Sequence, residues 1–180
     1  MRALWNAGAG NHAVTYMNTM TVRKTKPATV LPIVYSTSGT LAARCVTHQC
    51  TVRRGKQTER NGKKMTATEL LADVRTVKVG EVFTVMVEVV YEGAFDKPEQ
   101  QWFGTYSNDQ EEPEVLSVTV LFPQTQPFRD FKTYRNVHGS DMRKAFSGTS
   151  RVQSGNGNTS IYFEIPDAKR HESYQVAWTY

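Results

Sequence analysis

Apolar and polar residues alternate along most of this chain with a period of two, the spacing of a β-strand that buries one face. The clearest run covers residues 81–92, Glu-Val-Phe-Thr-Val-Met-Val-Glu-Val-Val-Tyr-Glu. Phe83, Val85, Val87, Val89 and Tyr91 share one face, which is apolar throughout and is expected to be buried. Val82, Thr84, Met86, Glu88 and Val90 share the other, which is mixed and is expected to be half covered. A run of this kind belongs near the middle of a sheet.

The same alternation predicts strands over residues 14–23, 30–37, 40–52, 115–122, 128–137, 161–165 and 174–180. Proline at positions 27, 123 and 166 closes three of them, because it has no N–H to give to a ladder. The faces of 128–137 are mixed, which predicts an edge strand. Residues 138–154 are poorly patterned, with a short strand at 144–146. One stretch departs from period two. Thr66-Ala-Thr-Glu69 matches a capping box, and Leu70, Leu71 and Val74 then fall on one helical face, so a short helix is predicted near 67–75.

Eight or nine strands with one short helix define a mainly β chain. Loops of moderate length between them point to an antiparallel β-sandwich, immunoglobulin-like or related, with a closed β-barrel as the alternative. Residues 1–180 are expected to form a single domain with 1–12 as a loose arm. The alternative is a small basic lobe at 13–64 and a sandwich at 65–180.

Length changes the picture little. A chain of 180 residues can cover about 70% of its unfolded surface without staples. A hydrophobic share of 39% beside a charged share of 22% excludes disorder over the whole chain. No apolar run approaches the roughly 18 residues of a spanning helix. The first residues have no apolar core of signal-peptide length. A soluble protein is therefore expected, and the use of only two cysteines fits a reducing, cytoplasmic setting.

Charge is unevenly placed. The net charge is +5, yet residues 1–64 hold eleven Lys/Arg and one acid, Glu59. The acids gather at Glu92, Asp96, Glu99, Asp109, Glu111, Glu112 and Glu114. Two short basic clusters, Arg53-Arg54-Gly-Lys56 and Lys63-Lys64, flank an Asn61-Gly62 turn signal. That stretch reads as an exposed hairpin tip or loop. It is also the candidate polyanion-binding segment, with nucleic acid among the partners that a basic patch would take.

Candidate chemistry is sparse. Gly8-Ala-Gly-Asn-His-Ala13 matches a dinucleotide fingerprint in form, but a strand rather than a helix is predicted after it. His138-Gly-Ser-Asp141 holds the residue types of a nucleophilic triad, too close together in sequence to converge. The acidic run at 109–114 lacks the ligand spacing of a calcium loop. Cys45 and Cys50, with His48 between them, fall one ligand short of a zinc site. On one extended strand they would face opposite ways, so two ordinary thiols are expected; a disulfide between them is the alternative and needs the chain to turn. No metal or cofactor is expected. Trp102, Phe103 and Tyr106 form an aromatic patch that could stack on a ligand or partner or cap one end of the core.

With no acid, base and nucleophile set in evidence, the sequence points away from an enzyme. The expected function is a non-catalytic binding or sensing module that recognises a protein or ligand through its loops. The alternatives are polyanion or nucleic-acid binding through the basic first third, and a structural or assembly subunit.

Overall fold

The computed structural model describes residues 2–5, 13–37, 39–60, 63–92, 101–106, 115–122, 125, 128–137, 144–145, 149–155, 157–166, 168–169 and 172–179. All regular structure among them is strand. In chain order the strands are β1 (Arg2–Trp5), β2 (Ala13–Arg23), β3 (Val30–Thr37), β4 (Thr40–Cys45), β5 (Cys50–Arg60), β6 (Lys63–Asp73) and β7 (Val82–Glu92). There follow β8 (Gln101–Tyr106), β9 (Val115–Leu121), β10 (Asp130–Val137), β11 (Lys144–Ala145), β12 (Thr149–Gly155), β13 (Gly157–Pro166) and β14 (Glu172–Thr179). The chain divides into two compact units, Met1–Asn11 with Phe95–Tyr180 as unit 1 and His12–Ala94 as unit 2.

Unit 2 holds two three-stranded antiparallel arrays, β2-β7-β4 and β3-β6-β5. The strand at 82–92 sits in the middle of the first, paired along its whole length with β2 from Ala13↔Glu92 to Arg23↔Val82. Val85, Val87 and Val89 are fully buried, while Phe83 and Tyr91 at its two ends are half-buried. From the second array Ile33, Tyr35, Thr37, Thr68, Leu70 and Ala72 turn inward. The two sets of side chains meet: Tyr16 and Tyr35 pack edge to face at 5.9 Å, and Asn18 Nδ2 donates to the Tyr35 hydroxyl at 3.0 Å.

The helix expected near 67–75 is replaced by strand β6. Its buried positions run Thr68, Leu70 and Ala72, a period of two that continues to Val74 just past its end. Leu70 and Val74 fit both periodicities, Leu71 only the helical one, and the Thr66/Glu69 box fits a helix start. What decides is pairing on both sides, to β3 (Ile33↔Leu70) and to β5 (Val52↔Leu70), which satisfies the backbone of β6 as a central strand. The expected strand 40–52 is likewise two strands, broken by a bend at 46–49.

Lys24, at the end of β2, is 9% exposed. Its ammonium donates to the carbonyls of Val74 and Val77, each at 2.8 Å, and its backbone bonds to Gly80 and Glu81. One lysine thus fastens the turn that leads into β7. Gly80 in that turn has φ +90°, a conformation that a side chain would strain.

Unit 1 contains β12-β13-β9-β1, in which β1 runs parallel to β9, and the antiparallel β11-β10-β14-β8. Within the segment expected as a loose arm, Arg2–Trp5 forms β1 and Leu4 is fully buried. The predicted edge strand near 128–137 is flanked by β14 over its whole length, and by β11 only at Tyr134 and Arg135. The core is aromatic: Phe122 lies 4.9 Å from Phe128 and 5.3 Å from Trp178. Phe163, Ile165, Ala168 and Tyr174 form a second cluster. Tyr174 accepts from the Lys169 N–H at 3.0 Å and donates to the Glu172 carboxylate. Both units are open arrays. None of the described sheets closes into a barrel, which would need first and last strands hydrogen-bonded to each other.

Candidate functional site

The basic segment at 53–64 is built as a hairpin. β5 and β6 pair from Cys50↔Ala72 to Arg60↔Lys63, so most of the expected loop is strand. The register slips between Arg54 and Gln57, which inserts a bulge at Gly55 and Lys56. A Cβ on Gly55 would lie 3.0 Å from the Ala67 Cβ and 3.1 Å from its carbonyl oxygen, so the bulge presses onto β6 and a side chain there would require β6 to give by a few tenths of an ångström.

β5 is an edge strand of its array. Thr51, Val52, Arg53, Arg54, Gln57 and Glu59 are all exposed. A long free edge is a template for unwanted pairing, and cations and a bulge are two ways of blunting it. Arg53 sits opposite Glu69, and Lys64 opposite Glu59. Part of the basic character is therefore matched by acids across the ladder.

The five sequence candidates do not share one face. Successive strand residues point to opposite sides, so Arg53 and Arg54 diverge. Lys64 is exposed near the tip. Lys56 lies in the bulge and Lys63 opens β6, and their side chains fall outside the described residues. Arg54 is the one that meets a concavity. A groove of about 260 Å³ is lined by Arg54 with Val52, Thr37, Gly39, Thr40, Leu41, Thr66 and Thr68.

Strand register explains this gathering. Thr37 pairs with Thr66, and Arg54 pairs with Thr68, on one face of adjoining rungs. Thr37 and Thr68 are buried at 6% and 8% exposure. The Thr37 hydroxyl accepts from the Gly39 N–H at 3.1 Å, which leaves its own hydrogen to donate. One guanidinium and four hydroxyls thus converge, a donor-rich set suited to the oxygens of an anion. The threonines come from β3, β4 and β6, and the only local sign of them is the Thr66/Thr68 alternation.

A second groove of about 480 Å³ opens near the other end of β5. Thr29, Val30, Gln49, Cys50, Thr51, Leu71, Asp73 and Arg75 line it. Arg75 Nε donates to both Asp73 oxygens at 3.0 Å and holds that carboxyl down at about 2. This arginine is already committed to a partner, which distinguishes it from Arg54. His48 stacks edge-on to Phe83 at 5.8 Å, and its Nδ1 lies 3.0 Å from the Thr47 hydroxyl. Among the described residues no three His, Cys, Asp or Glu side chains gather into a metal site.

Trp102, Phe103 and Tyr106 lie on β8, the edge strand beside β14, opposite Ala177, Val176 and Ser173. Their side chains fall outside the described residues, as do the 107–114 acidic run and the 138–141 triad look-alike. The dinucleotide match is followed by strand β2, not by the helix that would face a pyrophosphate. No helix among the described residues is long and apolar enough to cross a membrane. Set against known proteins, the chain matches no family model, no curated protein and no solved structure.

Proposed function

We propose that the chain is a non-catalytic binding module of β-sandwich type, immunoglobulin-like in its packing, that captures an anionic group in the Arg54 groove. The groove itself carries this reading: Arg54 lies beside Thr37, Thr40, Thr66 and Thr68, next to a free strand edge. The expected ligand is a carboxylate-bearing segment of a partner protein, seated at the groove and extended along β5. Two observations favour the sandwich. Side chains of the two arrays in unit 2 meet at Tyr16, Asn18 and Tyr35. In unit 1 the Tyr174 hydroxyl bonds back to the Lys169 backbone, the geometry of a tyrosine corner.

A glutamate-rich peptide, titrated by calorimetry at low salt, tests the reading. Arg54→Ala should weaken binding by about tenfold or more, as loss of a charge-assisted contact does. Arg75→Ala, whose guanidinium already serves Asp73, should change it little. Equal binding by wild type and Arg54→Ala would overturn the assignment.

A second reading is supported by the placement of Arg53, Lys56, Lys63 and Lys64 on the same hairpin as Arg54. There the ligand would be a polyanion, and heparin or DNA binding would fall steeply with salt. A shallow salt slope and dependence on Arg54 alone would exclude it.

A further inference from the structure

Cys45 ends β4 and Cys50 opens β5, so this pair bridges the β2-β7-β4 and β3-β6-β5 arrays of unit 2. The bend between them is held on both sides. The Val46 N–H donates to the Met86 carbonyl at 2.7 Å. The Thr47 hydroxyl accepts from the Met86 N–H at 3.0 Å and donates to the Thr84 carbonyl at 3.3 Å. The Gln49 carbonyl accepts from the Asp73 N–H at 2.8 Å. The outcome is contact: the Cys45 N–H donates to Cys50 Sγ at 3.2 Å. Both are free thiols and half-buried, and Cys50 lines the 480 Å³ groove. Two free thiols are found as expected, but not on one extended strand, because the chain turns between them.

We propose that Cys45 and Cys50 form a reversible dithiol–disulfide site that exchanges with small disulfides entering the groove at Cys50. Cys50, having released its proton to water, attacks one sulfur of a disulfide RSSR. The Cys50–SR bond forms, the RS–SR bond breaks, and the departing thiolate takes up a proton. Cys45 then loses its proton and attacks Cys50 Sγ. The Cys45–Cys50 bond forms, the Cys50–SR bond breaks, and the second thiolate is protonated. Two protein thiols are oxidised by two electrons, and RSSR is reduced to two RSH.

The order of attack follows from the surroundings. Cys50 faces the groove. Burial, aided by the neighbouring Cys50, pushes the Cys45 thiol up to about 12, so it keeps its proton at neutral pH and acts second. The finished disulfide staples one array to the other at the base of β5. The site stands apart from the Arg54 groove, and either assignment can fail without the other.

The test uses the intact chain, reduced, equilibrated with glutathione disulfide, quenched with an alkylating agent and weighed. The expected product is a monomer lighter by two hydrogens, with neither cysteine alkylated, restored by reduced glutathione. Its Tm should rise by about 5–10 °C, the effect of closing a short loop. Cys45→Ser should accumulate a glutathione adduct on Cys50, and Cys50→Ser should form far less adduct. Acid quenching of the wild type at early times, followed by peptide mapping, gives the same information without a variant. Two alkylated cysteines after equilibration, disulfide-linked dimers in place of the monomer, or a first adduct on Cys45 would each overturn the proposal.

Discussion

Among the described residues of unit 1 the large buried side chains are rings and branched aliphatics, Trp178, Tyr174, Phe163, Phe122, Phe128, Ile161 and Ile165, and the buried polar residues are Ser117 and Glu172. In unit 2 Val85, Val87 and Val89 of β7, with Val14 of β2, face a more polar neighbour, and Asn18, Lys24, Thr37 and Thr68 are all buried. The difference is one of purpose as well as composition. Aromatic burial supplies stability with few directional demands. A buried polar group costs free energy unless it is partnered, so each must be held by the fold or face a cavity. Lys24 is held by carbonyls and the Asn18 amide nitrogen by Tyr35, while the buried Asn18 Oδ1 has no partner among the described residues. Thr37 and Thr68 face the Arg54 groove. The Arg54 groove and the groove at Cys50 both lie in unit 2.

The largest expected effect would come from unit 1. Trp178→Ala removes a side chain 1% exposed and in contact with Phe122, and should destabilise by about 3–5 kcal/mol in urea unfolding. A loss below about 1 kcal/mol would mean that the aromatic core is not what stabilises this unit.

In unit 2 the sharper probe is Lys24→Met, which keeps the stem and deletes the ammonium. It leaves the Val74 and Val77 carbonyls without that donor and should cost about 2–3 kcal/mol. A neutral or stabilising result would show that the polar interior of unit 2 is tolerated rather than structural.

A smaller effect separates the units by pH. Burial and the bond to Glu172 push the Tyr174 hydroxyl up to about 12. An unfolded tyrosine gives up its proton near pH 10. The folded state therefore binds the proton more tightly, its stability is complete below about pH 10, and it falls as pH rises from about 10 to 12. Tyr174→Phe should be less stable at neutral pH yet lose less between those limits, as read by near-ultraviolet circular dichroism. An unchanged alkaline profile would place the titrating group elsewhere.

How much of this was legible in the sequence depended on where the deciding interaction lay. The strand at 82–92 was readable because its β-branched run and period are local, and its central position followed from them. Its end residues Phe83 and Tyr91 were expected to be as buried as Val87, but only the middle of the strand is fully covered. β6 was not readable, since Leu70 and Val74 satisfy helix and strand alike while Leu71 and the Thr66/Glu69 box favour a helix, and partners from β3 and β5 make the choice. The turn between Cys45 and Cys50 contains neither Gly nor Pro. It is fixed by bonds to residues 84, 86 and 73, which no local pattern records. Arg54 was found as part of a basic cluster, but its threonine neighbours arrive from three other strands.

The central claim is that an anionic ligand enters unit 2 at the Arg54 groove. Backbone amide NMR of the labelled protein, titrated with a glutamate-rich peptide, tests it most directly. Shifts should concentrate at Thr37, Gly39, Thr40, Arg54, Thr66 and Thr68, and vanish in Arg54→Ala, while the amides around Trp178 stay fixed. Shifts spread over the exposed cations of β5 and β6, or centred on unit 1, would contradict it.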